Sequence, residues 1–407
     1  MTHRVVVLGA GYAGFPAAKR LARQVYPDEV SVELVTESPR FVERPRLHQL
    51  ATGQRLRDLP LTELLAGSAV RLRIGRACAI DRAQQAISVA TENGVETVAY
   101  DTLVYALGST IKLDSVPGVP THARALTGPD ASDRLRSELT RLPERATVMV
   151  CGGGLTGIEA AAEIAEGFPE LRVRLVTAGR PGDWLSPAAQ RYLARSFERL
   201  GVEVSENTRI AAVAERRLQL VDGPDVEFDL CVWAGGFTVP TLAAEAGLAV
   251  DPRGRIVTDD HLRSITDPRV FAIGDAAAIP GAWGDALAMG CRTGALTGPY
   301  VADLIAHQLW GKPTSAFRFR YLHECISLGR RNGVVQFLHR DESPTSTILT
   351  GRAALAYKEM TLRGAVLFFG SPGPYPPRRR RVRAELSRLG TDEELARQPV
   401  LGGHLGH

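Results

Sequence analysis

Two glycine-rich stretches contain the residues whose types and spacing are most suggestive of chemistry. They share the spacing G-x-G-x-x-G and run Gly9-Ala-Gly11-Tyr-Ala-Gly14 and Gly152-Gly-Gly154-Leu-Thr-Gly157. The first glycine of such a stretch suits a tight turn, the second lets a phosphate approach the backbone, and the third lets a helix pack against a strand. Free N–H groups at the start of the following helix attract the phosphates. Each stretch therefore predicts a dinucleotide site.

The residues after the next strand differ between the two stretches. The first of these strands ends at Thr36-Glu37, where a carboxylate accepts ribose hydroxyls unless Glu37 is a solvent-facing loop residue. The second ends at Thr177 without a carboxylate, and Arg180 follows it. An arginine at this position suits the 2′-phosphate of NADP, although an exposed loop arginine is common. We therefore expect NADPH at the second site, with NADH as the alternative.

The elements around both stretches repeat in the same order. An apolar strand precedes each glycine turn and an apolar-spaced helix follows it, with further strands expected at 30–36, 100–109, 171–177 and 228–236. Residues 270–275 form one more apolar strand, and 291–309 read as a helix. From about residue 311 the spacing alternates like antiparallel strands. Two strand–turn–helix repeats are far stronger support for dinucleotide binding than one isolated motif.

Composition and charge exclude several classes of function. The chain has 407 residues, of which 44% are apolar and 23% charged, as in a globular protein of two or three domains. The net charge is +4, and the run RRRRVR at 378–383 supplies five arginines, so the rest is close to neutral. That distribution predicts no nucleic-acid partner. The run is expected to be a solvated tail, and contact with anionic lipid or a partner is the alternative.

The sequence shows no pattern typical of a membrane-spanning segment, a signal peptide or a metal site. No apolar run could span a bilayer and the chain begins directly in a strand, so we expect a cytoplasmic protein with no transmembrane segment. The five cysteines form no C-x-x-C pair, and Cys151 and Cys231 fall in expected strands as small core residues. The nine histidines lack metal-binding spacing, so we predict no metal site.

Five stretches occur in an order that resembles a known family. They are VVVLGAGYAGFPAA (5–18), YDTLVYALGS (100–109), VCGGGLTGIEAAAEI (150–164), CVWAGG (231–236) and VFAIGDAAA (270–278). The set resembles the two-dinucleotide-binding-domain flavoproteins, and most closely the type II NADH dehydrogenase-like branch of the FAD-dependent pyridine nucleotide oxidoreductases. The segment PRFVERPRLHQLATGQ (39–54) resembles the same branch. The resemblance covers roughly 3 to 310 and continues more weakly to about 365.

The resemblance implies an α/β chain with two Rossmann-like dinucleotide-binding domains. An FAD domain formed by 1–115 and 246–310 is interrupted by an NAD(P)H domain at 116–245. A smaller C-terminal α+β region at 311–370 and a basic tail at 371–407, expected to be mobile, follow. A homodimer is compatible with this organisation.

The same resemblance, with the strand ends described above, assigns two groups of binding residues. The FAD group is Gly9, Gly11, Ala13, Gly14, Thr36, Glu37, Arg44, Pro45, Ala77, Ala106, Leu107, Gly108, Gly274 and Asp275. The NAD(P)H group is Gly152, Gly154, Leu155, Thr156, Gly157, Thr177, Arg180, Gly235 and Gly236. Asp275 would bind the ribityl chain or cap the following helix. Glu159 matches a family glutamate near the nicotinamide and is the one catalytic candidate, although a glutamate in a first helical turn also has an electrostatic rationale.

Departures from the family pattern limit what carries over. The reactive cysteine pair of the disulfide reductases has no counterpart here. Quinone-reducing members have a motif resembling A-Q-x-A-x-Q, whereas CRTGALTG (291–298) contains no glutamine, so their quinone site cannot be transferred. The C-terminal stretch 382–398 has an apolar stripe of only Val382, Leu386 and Leu389, which does not favour peripheral membrane attachment.

These features together predict an enzyme, an NAD(P)H-dependent FAD flavoprotein oxidoreductase. Hydride transfer from the nicotinamide reduces FAD, and the electrons then pass to a small-molecule acceptor, for which a quinone is the first choice. A partner redox protein such as a ferredoxin is the second choice, and the basic tail would then help docking. A third alternative is a nucleotide-sensing flavoprotein with little turnover.

Overall fold

The computed structural model of the chain describes residues 2–281, 284 and 286–370. The tail expected at 371–407 and the stripe of Val382, Leu386 and Leu389 lie outside the described residues. Residues up to 115 form eight strands and three helices: β1 (His3–Leu8), α1 (Gly14–Ala22), β2 (Val30–Thr36), α2 (Leu47–Ala51), α3 (Leu61–Leu64), β3 (Val70–Ile74), β4 (Arg76–Asp81), β5 (Ala86–Thr91), β6 (Gly94–Ala99), β7 (Thr102–Tyr105) and β8 (Thr110–Ile111). A 3₁₀ turn at Arg44–Arg46 leads into α2.

In the middle of the chain, the second glycine stretch lies between the strand β9 and the helix α6. Its elements are α4 (Val119–His122), α5 (Pro129–Arg141), β9 (Thr147–Cys151), α6 (Leu155–Gly167), β10 (Arg172–Val176), α7 (Pro187–Leu200), β11 (Glu203–Ser205), β12 (Ile210–Ala214), β13 (Arg217–Leu220), β14 (Val226–Glu227), β15 (Leu230–Trp233), β16 (Phe237–Thr238) and α8 (Leu242–Glu245).

The last described part of the chain begins with short strands and ends in a long helix. Its elements are β17 (Ile256–Val257), β18 (Val270–Ala272), a 3₁₀ turn (Gly274–Ala276), β19 (Ala277–Ala278), α9 (Cys291–Leu309), β20 (His323–Ser327), β21 (Gly333–Leu338), β22 (Pro344–Thr350) and α10 (Gly351–Gly370).

The first large sheet is parallel and has the strand order β18-β7-β1-β2-β3. Its edge strand β18 comes from the far side of the middle segment, so the chain leaves this sheet and returns to it. Valines and leucines of β1 are buried on both faces, as in parallel sheets covered by helices. The helices α1 and α9 approach closely, because a Cβ atom at Gly298 would lie 2.2 Å from the carbonyl oxygen of Ala13.

A second parallel sheet, β11-β10-β9-β15, has a separate hydrophobic core. Cys151 and Cys231 are both buried in this core, with their sulfur atoms 3.7 Å apart on neighbouring strands. Two Rossmann-like parallel sheets within one mixed α/β chain confirm the fold class expected from the sequence.

The C-terminal region contains the antiparallel sheet β20-β21-β22, against which α10 packs. The alternating pattern from 311 suggested strands earlier than this, but the first of them begins only at His323. Phe317 and Phe319 instead pack against the core of the first sheet, which explains their apolar character without a strand partner. Among the described residues, no helix is both long and apolar enough to cross a membrane.

Candidate functional site

The first glycine stretch forms a closed turn between β1 and α1. Gly9 has a φ of +100°, and a Cβ atom there would lie 2.3 Å from the carbonyl oxygen of Ala106. A Cβ atom at Gly14 would lie 1.9 Å from the carbonyl oxygen of Gly9, whereas the same position at Gly11 faces open space. The turn thus needs two glycines for packing and leaves the third open to a ligand, which fits the pyrophosphate of a dinucleotide.

The second stretch repeats this geometry between β9 and α6. Gly152 has a φ of +128°, and a Cβ atom at Gly157 would lie 1.8 Å from the carbonyl oxygen of Gly152. Gly154 faces open space in the same way as Gly11. Both turns have the shape that a phosphate needs at a helix N-terminus, so the chain fits two dinucleotides.

A cavity of about 1020 Å³ extends from the first glycine turn towards α6 and the C-terminal region. Its walls include most of the residues predicted to bind FAD and three residues at the start of α6. The predicted residues on its walls are Gly9, Gly11, Ala13, Thr36, Glu37, Arg44, Pro45, Ala77, Ala106, Leu107, Gly108, Leu155, Thr156, Glu159, Gly274 and Asp275. Its volume is at the upper end of the range for small-molecule sites, as a bulky cofactor together with a substrate would need.

The other predicted residues lie outside the walls of this cavity. They are Gly14, Gly152, Gly154, Gly157, Thr177, Arg180, Gly235 and Gly236. Of these, Gly14, Gly152 and Gly157 belong to the closely packed parts of the two glycine turns described above. Thr177 is buried, and its side chain covers Gly153, where a Cβ atom would lie 2.4 Å from the threonine Oγ1.

Hydrogen bonds fix the orientation of the Asp275 carboxylate at the cavity wall. Its Oδ2 accepts from the Ser109 hydroxyl at 2.6 Å, and its Oδ1 accepts from the backbone N–H of Gly290 at 2.7 Å. Gly290 immediately precedes α9, so Asp275 connects the cavity wall to the start of that helix. The guanidinium of Arg44 donates to the carbonyl oxygen of Ser109 and completes this polar edge.

Glu159 lies at the centre of a buried network. The ammonium of Lys358 on α10 donates to Oε1 of Glu159. The backbone N–H and the hydroxyl of Ser327 donate to the same oxygen at 2.8 and 2.9 Å. Nδ1 of His48 on α2 lies 3.7 Å from Oε2 of Glu159, and its Nε2 lies 3.2 Å from the Ser327 hydroxyl oxygen. The network therefore joins four segments that are remote in the sequence.

Burial and charge set the protonation states in this network. Burial opposes ionisation of Glu159, but the charge of Lys358, the proximity of His48 and the Ser327 N–H outweigh it and lower the pKa of the carboxyl. Burial lowers the pKa of His48 to about 4, against the attraction of Glu159 and with further lowering by Lys358 and Arg46. At neutral pH the wall thus has an ionised carboxylate, its ammonium partner and a neutral imidazole.

His48, Ser327 and Lys358 were not singled out from the sequence. His48 lies inside the family-like segment 39–54, which was the only available signal, and the other two lie beyond the strongest resemblance. Lys358 lines the cavity together with Arg292, His323, Cys325 and other C-terminal residues. Burial raises the pKa of the Cys325 thiol to about 12, so this cysteine is present as a thiol.

Arg180 has a carboxylate neighbour that sequence spacing did not reveal. Its guanidinium is exposed, and Nε lies 3.5 Å from Oε2 of Glu206. Glu206 follows β11, the strand that neighbours β10 in the sheet. Recognising that β11 is parallel to β10 would have placed its end beside Thr177, because the ends of parallel strands meet at one edge.

Comparisons with known proteins agree with this geometry. The pyridine nucleotide-disulphide oxidoreductase family model matches residues 3–290. Demethylphylloquinone reductase NdbB of Synechocystis is 28% identical over 370 residues, covering 87% of this chain and 92% of the relative. A type II NADH:quinone oxidoreductase of Staphylococcus haemolyticus is 27% identical over 400 residues, covering 91% and 96%. The solved structure of NDH2 from Plasmodium falciparum in complex with NADH has the same fold, with a TM-score of 0.77 at 14% identity and coverage of 91% and 97%.

Proposed function

Because the chain belongs to the pyridine nucleotide-disulphide oxidoreductase family, we propose that it uses NAD(P)H and FAD to reduce a quinone. The chain is an enzyme, a flavoprotein oxidoreductase with a small-molecule electron acceptor. Two relatives whose names include quinone substrates, and which align over more than nine-tenths of their length, support the choice of a quinone.

The observation that carries the proposal is the cavity of about 1020 Å³ described above. It brings Gly11 of the first glycine turn, Glu159 of α6 and Lys358 of α10 to one continuous space. When bound, FAD supplies a carrier that takes two electrons from NAD(P)H and delivers them to the acceptor. The chain contributes the binding turns and the polar groups that position the reactants around that carrier.

We assign the first glycine turn and the Asp275 edge to FAD. Gly9 and Gly14 close the turn so that Gly11 can meet the pyrophosphate, and Glu37 lies on the same wall, where a carboxylate can accept ribose hydroxyls. Asp275 is oriented by the Ser109 hydroxyl and Gly290 N–H, and its remaining lone pairs can accept from cofactor hydroxyls.

We assign the second glycine turn to NADPH. Gly152, Gly154 and Gly157 give the backbone access that a pyrophosphate needs, and Thr177 replaces the carboxylate typical of NAD sites. Arg180 provides a guanidinium for the 2′-phosphate, because it is exposed and only loosely paired with Glu206 at 3.5 Å. This assignment requires Arg180 to exchange Glu206 for the phosphate when NADPH binds.

We assign Lys358 and Glu159 to the acceptor. Reducing a quinone to a quinol adds two electrons and two protons, and negative charge develops on the carbonyl oxygen. The Lys358 ammonium on the cavity wall can donate to that oxygen, and its contact with Glu159 positions it there. The neutral His48 and the Ser327 hydroxyl hold Glu159 from the other side.

An anaerobic half-reaction experiment tests the proposal. The FAD-loaded protein is mixed with NADPH or NADH, and loss of the flavin absorbance is followed before a short-chain water-soluble quinone or a ferredoxin is added. We expect bleaching by NADPH and rapid reoxidation by the quinone. Bleaching by neither nucleotide would refute the oxidoreductase, and reoxidation by ferredoxin alone would replace the quinone with a protein acceptor.

A pair of lysine variants tests whether Lys358 acts in the transfer of electrons to the acceptor. Lys358→Met removes the ammonium from the cavity wall, whereas Lys312→Met removes one from an exposed position just after α9. We expect Lys358→Met to slow quinone reoxidation at least tenfold while bleaching by NADPH changes little, and Lys312→Met to leave both steps unchanged. Equal slowing of both steps by Lys358→Met would contradict a role at the acceptor.

The domain bounds, a cytoplasmic location and a homodimer remain predictions.

A further inference from the structure

A second cavity, separate from the one assigned to the cofactors, is rich in arginines. Its volume is about 520 Å³, and six arginine side chains face two glutamates on its walls. The arginines are Arg46, Arg55, Arg57, Arg330, Arg352 and Arg363. None of these six lines the larger cavity. Such a concentration of like charge in one concave surface destabilises the protein unless negative charge compensates it.

Three segments bring the arginines together. The walls are formed by the segment 43–57, which includes the 3₁₀ turn, α2 and the loop after it, by the turn at 329–330 between β20 and β21, and by one side of α10. On α10 the contributing positions are 352, 355, 356, 359 and 363, which recur at helical spacing. The charge is therefore concentrated by the tertiary structure, because the sequence of each segment is only moderately basic.

The glutamates on the walls compensate only part of this charge. Glu43 is buried and shared by Arg46, at 3.1 Å, and Arg57, at 3.8 Å. Glu359 is likewise shared by Arg46, at 2.8 Å, and Arg363, at 2.5 Å. Each carboxylate thus serves two guanidinium groups, which leaves the cavity with excess positive charge.

The remaining arginines confirm the imbalance. Arg330 pairs with Glu163 at 3.1 Å behind the wall. Arg55 and Arg352 are exposed, and within the described part of the chain neither has an ion pair or a side-chain hydrogen bond. Two guanidinium groups with all their donors available therefore border the same half-open cavity.

We propose that this cavity binds a phosphate group, from either a small phosphorylated molecule or a phospholipid headgroup. A phosphate has several oxygens that can accept from guanidinium groups approaching from different directions, and a planar fork can pair with two of them at once. Arg55 and Arg352 come from separate segments and supply the two open forks, while Glu43 and Glu359 hold Arg46, Arg57 and Arg363 in place around them. The inference is independent of the acceptor proposed above.

Calorimetric titration of the FAD-loaded full chain with inorganic phosphate at low ionic strength tests the site. The test variant is Arg55→Gln with Arg352→Gln, and the matched control is Arg191→Gln with Arg195→Gln, two exposed arginines of α7. We expect saturable binding that weakens at least tenfold in the test variant and less than twofold in the control. Unchanged flavin content and melting temperature in both variants verify that the fold is kept.

A vesicle experiment separates the two sources of phosphate. Sedimentation is measured with vesicles of phosphatidylcholine alone and with vesicles containing phosphatidylglycerol. Binding to the anionic vesicles that falls at least tenfold only in the test variant identifies a lipid headgroup. Weakened phosphate binding with unchanged vesicle binding identifies a soluble phosphorylated ligand. If phosphate and vesicle binding are the same in the test variant and the control, the proposal is wrong.

Discussion

Acidification from about pH 7 to about pH 5 should destabilise the protein by about 2 kcal/mol through His48 alone. The imidazole is buried, and burial lowers its pKa to about 4, against the attraction of Glu159 and with the positive charges of Lys358 and Arg46 adding to the decrease. In the unfolded chain a histidine has a pKa of about 6.5. Between these two pKa values the unfolded state binds a proton that the folded state does not. Stability is therefore greatest above the unfolded pKa and is lost as the pH falls towards 4.

The size of the effect follows from the two pKa values. Each pH unit in which only the unfolded state is protonated costs about 1.4 kcal/mol of folding free energy, so the full difference is about 3.4 kcal/mol. Between about pH 7 and about pH 5, the loss comes mainly from the roughly 1.5 pH units that lie below the unfolded pKa of about 6.5. At about 1.4 kcal/mol per pH unit, this interval gives a loss of about 2 kcal/mol. Glu159 contributes little in this range, because its own lowered pKa affects stability below the ordinary value of 4.5.

Urea unfolding of the FAD-saturated protein at about pH 7 and about pH 5 measures this loss. The variant His48→Gln removes the titrating group, so its free energy of unfolding should fall by about 2 kcal/mol less than that of the unmodified protein. It should be less stable at about pH 7, because the contact between His48 and the Ser327 hydroxyl is lost. The variant His339→Gln, which removes an exposed histidine outside the network, is the matched control.

All three proteins share the remaining acidic and basic groups, so the difference between His48→Gln and the unmodified protein reports the imidazole together with its effect on Glu159. If His48→Gln and the unmodified protein lose the same free energy between the two pH values, His48 is not held neutral by burial. The protonation states given for the network would then be wrong, and the roles proposed for Glu159 and Lys358 would lose their basis.

Three further predictions follow from the same contacts. Gly9→Ala, which combines a φ of +100° with a Cβ atom 2.3 Å from a carbonyl oxygen, should reduce the FAD bound per purified chain at least tenfold. Gly128→Ala, at an extended position with open space, should keep its flavin. Arg180→Ala should lower kcat/KM for NADPH about tenfold with little change in kcat/KM for NADH. Glu206→Gln should raise the ratio of kcat/KM for NADPH to kcat/KM for NADH, because it removes the carboxylate that pairs with Arg180. Equal effects on both coenzymes would contradict the assignment of Arg180 to the 2′-phosphate. Glu159→Gln, which leaves a buried ammonium without its partner, should lower the free energy of unfolding in urea by about 3 kcal/mol, and a loss under about 1 kcal/mol would show that the pair is solvated.

Local patterns allowed much of the framework to be predicted. The strand expected at 30–36 and the helix expected at 291–309 have the observed bounds, because an alternating apolar pattern and an apolar helical spacing need no long-range information. The glycine turns were recognisable because steric demands at Gly9 and Gly152 restrict the residue type. The fold class, the flavoprotein activity and the FAD and NAD(P)H cofactors are confirmed, whereas the individual binding residues remain predictions.

The polar network could not be predicted from spacing. His48, Glu159, Ser327 and Lys358 belong to four different elements, and their proximity depends on how α2, α6, β20 and α10 pack together. No local pattern distinguishes a lysine that points to a buried carboxylate from one that points to solvent. The helix α10 was itself not identified from the sequence, although the surrounding α+β region was.

The helix α10 connects the two cavities, because it contributes charged residues to the walls of both. Lys358 on α10 lines the large cavity and pairs with Glu159, while its neighbour Glu359 lines the arginine-rich cavity and pairs with Arg46. Arg46 and His48 lie in adjoining turns of the segment 44–51, so α10 is joined to this segment by Glu359 directly and by Lys358 through Glu159. Breaking the buried pair of Glu159 and Lys358 would leave an unpaired buried charge, so this pair restricts the position of α10. We infer that α10 cannot shift towards one cavity without disturbing the charged groups of the other.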